Sequence, residues 1–462
     1  MKSQGQSKHF QVQEDSGGLA AGGILIAALL GQAIYQNNGA FSTIGILFVA
    51  IAICVSAVSV FKSGDYTQCV SITRLCSLLA VILGIQFVQL VTTLPGIYIH
   101  ASDQGWIVFS SISVCAAFLT ATCLTKEPVF GRYGFALVFG AFVFLALWVL
   151  YFSPSPKIDV YYFQRDSVAK LLRFENPYAY GFNNIYSHEK FYGEGLVRNG
   201  VLQFGYPYFP LALVAAIPGY LLGDIRFVMV LAIGCTGLMF ASLQSGALGR
   251  GLAALYWFNP RTLFIIEQSW IEPLIVFCAV LMVFLITKHP KLACCVAGLL
   301  LASKQTMIWM PFLLPLLFIG NFKNWRRAGL VALLIAAATC VPFFLWDPNA
   351  FWSSVISLQF AQPFRPDALS LPAFFNHIGI NGIHWALAFP ASLVCIAFSL
   401  WRSARTVAGW AMATCLTYLV FFACNKQAFC NYYFMIIGFA CLVASTVRLN
   451  QNEPEKTFND QI

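Results

Sequence analysis

Charge is what this 462-residue sequence lacks: only 10% of its residues are Asp, Glu, Lys or Arg, against about 25% in a soluble globular domain. A chain so poor in charge cannot dress a core with a water-facing surface, and 59% of it is hydrophobic. It also lacks any long polar region between its apolar runs, which excludes a string of soluble domains despite the length. Acids are scarcer than bases, 18 against 27, leaving a net charge of +9. Among membrane-length apolar runs that excess reports bases on cytoplasmic loops, and no nucleic-acid binding is expected. Cysteine is missing from the polar stretch 153–206, so a disulfide framework there is excluded. The 15 cysteines fall mostly inside apolar runs, where they read as small buried hydrophobes. Cys294 and Cys295 are adjacent, which is not metal-ligand spacing. No internal repeat stands out. The polar N-terminus is too long and mixed for a signal n-region, so the first apolar run reads as a retained helix.

What is present is a series of apolar runs, at about 19–36, 42–61, 75–97, 106–124 and 134–152, of the length that crosses a bilayer. Lys62, Arg74, Lys126 and Arg132 then put the N-terminus inside and Ser153 onward outside. The run at 208–223 is short and broken by Pro210 and Pro218. If it crossed, the later bases would be scattered over both sides, so it is expected to lie along the outer surface. Runs at about 226–246, 251–266 and 271–287 then place Arg250, Lys288 and Lys291 inside. As one helix, 291–320 would be about 45 Å long, too long for a hydrocarbon core of about 30 Å. Two short helices meeting outside near Ser303 and Lys304 keep Lys323, Arg326 and Arg327 inside. Runs at about 328–346, 383–401, 406–424 and 428–447 complete the set. The expectation is an all-α polytopic membrane protein with about fourteen spanning helices, one in-plane outer helix and both termini cytoplasmic.

On this topology the unusual polar residues gather at one face: the 153–206 loop, "EQSWIEP" (267–273), "SKQT" (303–306), "WDPNAF…QPFRPDALS" (346–370) and "NKQAFCNYY" (425–433). Ionisable groups at membrane depth are costly, so they tend to be paired or functional. Asp159 suits either a helix-end acid facing water or a general base at the membrane surface. Asp166 falls two helical turns further on the same face, with Arg165, Lys170 and Arg173 near enough to pair with it. Glu272-Pro273 has the pattern of a first-turn helix acid, which leaves Glu267 less explained. Lys304, followed by Gln305, either snorkels or binds phosphate. Arg365 sits between two prolines, with Asp367 near enough for an internal pair. Lys426 has Asn425, Gln427 and Asn431 around it. Three cations from separate segments suit a phosphorylated ligand. His188 and Glu189 offer two metal ligands without a third, and no metal or other cofactor is expected. Tyr161, Tyr162, Tyr206 and Tyr208 fit an interfacial belt or a stack on a sugar. With Asn176, Tyr178 and Gln362 they complete the candidate substrate contacts.

The order of "LLRFENPY", "FGYPYFPLALVAAIPGYLLGDIR", "EQSWIEPLIV", "LLLASKQ", "PFFLWDPNAFW…QPFRPDALSLPA" and "NKQAFCNYYF" resembles bacterial membrane glycosyltransferases of the GT-C fold, near the polyprenyl-phosphate-mannose-type transferases. The resemblance covers 134–447, with a large extracytoplasmic loop at 153–225. It leaves 1–133, a cytoplasmic tail and four helices, as an N-terminal addition, and 448–462 as a cytoplasmic tail. It implies a plasma-membrane enzyme whose active site faces outward, with Asp159 as catalytic base or its neighbour. It also implies a surface helix at 208–223 and a second outer acid at Glu267 or Glu272. Neither place carries an Asp-x-Asp, and donors with a single phosphate in this class often need no metal. The implied donor is a polyprenyl-phosphate monosaccharide, and the acceptor a glycan or lipid-linked molecule. The rival readings are a lipid or sugar flippase, whose site belongs near the midplane between inverted repeats, and a ligase or polymerase using a lipid diphosphate.

Overall fold

The computed structural model describes residues 17–63, 70–124, 128–179, 181–186, 191–380, 384–447 and 449, so His188 and Glu189 lie outside the described residues. The chain is nearly all α-helix. In order it forms α1 (Gly17–Tyr35), α2 (Thr43–Lys62), α3 (Ile72–Thr92), α4 (Asp103–Cys123), α5 (Pro128–Phe152) and α6 (Asp159–Leu172). A two-residue hairpin, Val197–Arg198 with Val201–Leu202, precedes α7 (Pro210–Leu221), α8 (Phe227–Leu243), α9 (Gly246–Trp257), α10 (Thr262–Glu267) and α11 (Glu272–Leu285). Next come α12 (Pro290–Leu301), a 3₁₀ turn (Gln305–Trp309), α13 (Met310–Asn321), α14 (Trp325–Trp346), α15 (Pro348–Trp352), α16 (Leu358–Ala361) and α17 (Leu371–His377). The last three are α18 (Ala388–Arg402), α19 (Val407–Ala423) and α20 (Cys430–Thr446).

Among the described residues, seven segments are long and apolar enough to cross a membrane: 17–39, 43–62, 72–92, 103–123, 131–152, 325–346 and 385–402. The rest of the apolar helices have 10–17 residues, about 15–26 Å at 1.5 Å per residue. This is a polytopic membrane protein. The break expected near Ser303 is present, between α12 and the 3₁₀ turn.

Hydrogen bonds sort the connections into two groups at opposite ends of the bundle. In one group Ser63 Oγ donates to the Arg402 carbonyl and accepts from the Ala404 N–H, while Arg402 donates to the Phe61 carbonyl. Arg250 donates to the Cys123 carbonyl. In the other group the Phe41 N–H meets the Asp367 carbonyl, His100 meets Phe152, and Leu369 meets Ala428. Arg261 donates to the carbonyls of Tyr35 and Leu94. The segments that charge and hydropathy assign to one face are thus bonded to one another. Helix α7 starts with the Leu211 N–H on the Ala302 carbonyl, and just past its end Arg226 donates to the Leu150 carbonyl. These contacts tie the two ends of α7 to the end of α12 and the end of α5.

The core runs through the whole set of long helices. α1 lies between α2 and α20, and a Cβ on Gly23 would sit 2.5 Å from the Ala440 carbonyl oxygen. The close approach of α1 to α20 therefore depends on that glycine. A second, smaller core at the cavity end joins α6 and α7 to α15 and α16, through Phe163, Tyr178, Tyr206, Phe351 and Val355. This second layer is what roofs the site.

Candidate active site

The segments gathered at that end enclose one cavity of about 270 Å³, just below the usual range of about 300–1,000 Å³ for small-molecule sites. Asp159, Lys304, Arg365, Gln362, Gln427, Asn431 and Tyr208 all line it, so the chain brings together seven of the residues singled out above. Much of the remaining wall is aromatic, including Phe163, Tyr186, Tyr192, Trp270 and Tyr432.

Asp159 is the first residue of α6, where an acid complements the helix dipole. One carboxylate oxygen accepts the Val160 N–H at 2.8 Å, the other the Tyr192 hydroxyl at 3.0 Å. Its own N–H donates to the Tyr186 hydroxyl at 3.3 Å. Burial pushes the Asp159 carboxyl above its ordinary range, partly opposed by Tyr192, Val160, Arg365 and Tyr186. Desolvation disfavours the charged form, and the hydrogen bonds favour it. Tyr192→Phe removes a donor to the carboxylate, so the titration of Asp159 is expected to move to higher pH. Following the infrared band of the protonated carboxyl against pH checks this, and an unmoved titration would remove Tyr192 from the role.

Arg365 reaches the cavity from the loop after α16. Its guanidinium forks onto Asp367 at 2.8 and 2.6 Å. It also lies over the rings of Phe191, at 4.7 Å, and Phe429, at 5.2 Å. The internal Arg–Asp pair is thus present, and it uses two of the five donors a guanidinium carries.

Lys304 follows the C-terminus of α12, and its ammonium meets Glu272 Oε1, at the start of α11, at 2.5 Å. The same oxygen accepts from Asn431 at 2.8 Å. Lys304 is 6% exposed and Glu272 1%, and Glu272 Oε2 has no hydrogen-bond partner among the described residues. The ammonium also lies over Tyr432, at 4.7 Å, and Tyr208, at 5.2 Å. Lys304 therefore does not snorkel to the surface: it is a buried, paired cation presented to the cavity. Burial works against its charge, and the Glu272 carboxylate and the Tyr432 ring face offset that cost. The start of α11, the end of α12 and the start of α20 meet here.

The other residues expected at the site stand outside the cavity. Glu267 is fully buried and accepts the N–H groups of Ile97 and Tyr98, each at 2.8 Å. It ties the α3–α4 connection to α10. Asp166 pairs with Arg165 at 2.7 Å on the outer side of α6. Gln305 donates to the carbonyls of Pro207 and Val355. Lys426 donates to the carbonyls of Phe360 and Gln362 at 3.1 and 2.6 Å and lies 4.6 Å from the Trp385 ring centre. Burial lowers its pKa to about 8. It holds the segment that carries Gln362 and Arg365 rather than facing the cavity. Asn425 caps Lys426 through its side chain. Asn176 accepts the Tyr178 N–H. Tyr178 and Tyr206 are fully buried in the second core. Tyr161 and Tyr162 flank Arg165, and none of these tyrosines lines the cavity.

Sequence reasoning missed Tyr186 and Tyr192, whose loop folds back 27 and 33 residues onto Asp159. It also left Trp270 without a role. Ser269, before it, has φ +58. The N–H groups of Ser269 and Trp270 bond back to Ile266 and Ile265, the paired closure of a helix end that usually carries glycine. That turn delivers Trp270 to the cavity wall. Among the described residues no group of three or more His, Cys, Asp or Glu stands close enough to hold a metal. No family model, curated protein or solved structure matches the chain.

Proposed function

We propose that this protein is a membrane glycosyltransferase of GT-C type, moving a sugar from a polyprenyl-phosphate monosaccharide to a glycan or lipid-linked acceptor. The observation that carries the reading is the shared cavity of Asp159, Arg365 and Lys304, roofed by aromatic side chains at one end of a membrane bundle. In this reading the chain crosses about fourteen times, with 291–320 crossing twice and 208–223 lying in plane, the cavity faces outward and both termini are cytoplasmic. The first four helices are an addition to the catalytic core, although they pack into the same interior.

Asp159 is the only cavity carboxylate bonded neither to a lysine nor to an arginine among the described residues. It takes the proton of the acceptor hydroxyl as that oxygen attacks the anomeric carbon. The bond from that carbon to the phosphate oxygen breaks, and the phosphate leaves with the electron pair. One in-line displacement inverts the anomeric centre. Arg365, through the donors Asp367 does not take, and Lys304 stabilise the charge growing on the leaving phosphate. Trp270, Tyr208 and Tyr192 offer ring faces and hydroxyls to a sugar. Lys426, expected among the phosphate ligands, here acts one step back by fixing Gln362 and Arg365.

The test is transfer by the wild-type protein in proteoliposomes from a panel of labelled polyprenyl-phosphate sugars, with diphosphate-linked sugars alongside. Product from the monophosphate set is expected. Product from diphosphates alone would replace this donor with a ligase or polymerase donor. No product from either, with lipid translocation instead, would sink the transferase reading.

A further inference from the structure

We propose that Phe174, just past the end of α6, is embedded in the head-group zone of the bilayer and pins that helix to the membrane surface. Two features of Phe174 have no account within the protein. Its backbone is left-handed, with φ +57. The Phe174 N–H bonds to Leu171 and the Glu175 N–H to Lys170, so it occupies the closing position that glycine or asparagine normally takes. A bulky residue there is a genuine conformational outlier. Its ring is also 88% exposed, and nearby Leu172 is 42% exposed. A strained and fully presented aromatic is disfavoured twice over in water, and the second penalty vanishes if lipid covers the ring.

The fold supplies the depth. Tyr178, four residues on, packs 5.7 Å from Phe343 and 4.8 Å from Phe351 by ring centres, and Cys340 joins the same cluster. Phe343 and Cys340 belong to α14, a candidate membrane span. They stand three and six residues before its end at Trp346, about 5 and 9 Å along the axis. Tyr178 therefore sits at the boundary of the apolar zone, with Phe174 four residues before it in the chain. Around that end of α14, Leu345 is 69% exposed, Trp346 44% and Trp352 56%, an aromatic belt of the kind found at membrane interfaces. Arg173 and the Lys170–Glu175 pair flank Phe174 in the chain, as interfacial bases flank aromatics. A protein partner would need a contiguous patch, whereas Phe174 and Leu172 are two side chains among charges.

Helix α6 thus has Asp159 at one end, in the cavity, and Phe174 at the other, in lipid, 14 helical residues or about 21 Å apart. Setting the height of the base above the lipid rests on the transferase reading; the insertion itself does not. The test places a photoreactive p-benzoylphenylalanine at Phe174 in the full chain, in lipid nanodiscs, and identifies adducts by mass spectrometry. Lipid adducts as the main product are expected. A protein adduct, or recovery of the chain without any adduct, overturns the proposal. Independently, Phe174→Ser in nanodiscs is expected to speed amide exchange at 170–175 about tenfold, a loosening a solvent-facing ring would not produce. Unchanged exchange overturns it too, and neither readout depends on enzymatic activity.

Discussion

Asp159→Asn is expected to lower sugar transfer by about 10²- to 10⁴-fold, the usual worth of a positioned general base. The substitution is close to isosteric. The asparagine carbonyl can still accept the Val160 N–H, and the amide can still meet the Tyr192 hydroxyl, so the N-terminus of α6 should hold. What disappears is the ability to take a proton. Initial rates from a labelled donor, with donor binding measured separately, decide it: binding kept and turnover lost is the expected pattern. The pH profile gives a second check. A base works only when deprotonated, and burial raises this carboxyl above its ordinary range. Activity should therefore rise with pH through that raised value and fall away below it, with its acidic limb above that of a solvent-exposed aspartate. Persistent turnover in Asp159→Asn would move the base elsewhere. The other carboxylates within reach are Glu272, behind Lys304, and Asp367, behind Arg365.

Lys304→Met is expected to destabilise the protein by about 3–5 kcal/mol, because it leaves a buried carboxylate without its cation. Among the described residues Glu272 would keep Asn431 on one oxygen and nothing on the other. Glu272→Gln should be costly for the converse reason, a buried ammonium without its anion. The double variant should recover much of the loss, since replacing both members of a buried pair is far milder than removing one. Denaturant or thermal unfolding of the four proteins in one detergent measures the coupling, and strictly additive losses would mean that the pair does not form. Transfer by the double variant separates structure from chemistry. Recovered stability with transfer still lost assigns Lys304 a direct part in handling the phosphate.

The two carboxylates that shared the expectation of a second outer acid illustrate how far a linear reading reaches. Glu267 and Glu272 stand five residues apart and flank Trp270 in one turn, and the proline after Glu272 marks it only as a helix-start acid. In the fold one clamps the α3–α4 connection by two backbone N–H groups, while the other holds a lysine 32 residues downstream and an asparagine 159 residues downstream. Nothing in the spacing says which of them meets a lysine and which meets backbone. Gly96 carries a similar lesson: a Cβ there would stand 2.4 Å from the Glu267 carboxylate, so the position needs glycine because of a residue far along the chain.

By itself the sequence determined the class, the helices and the company each loop keeps. Hydropathy is a sum over consecutive residues, so the runs that become α1 to α5 and α14 can be read without coordinates. So can the break before Lys304, because a bilayer has a thickness that one unbroken helix would overshoot. It determined, too, that Asp159, Lys304, Arg365 and Asn431 share an end of the bundle, since each crossing reverses the side. Only the tertiary structure decided which of those polar groups face the cavity bare and which are already matched. It paired Lys304 with Glu272 and Arg365 with Asp367, withdrew Lys426 and Gln305 to backbone carbonyls, and folded Tyr192 onto Asp159. The reason is one of scale. Burial averages over many residues and tolerates error, whereas a hydrogen bond is made or lost within a few tenths of an ångström, across segments whose separation along the chain carries no distance.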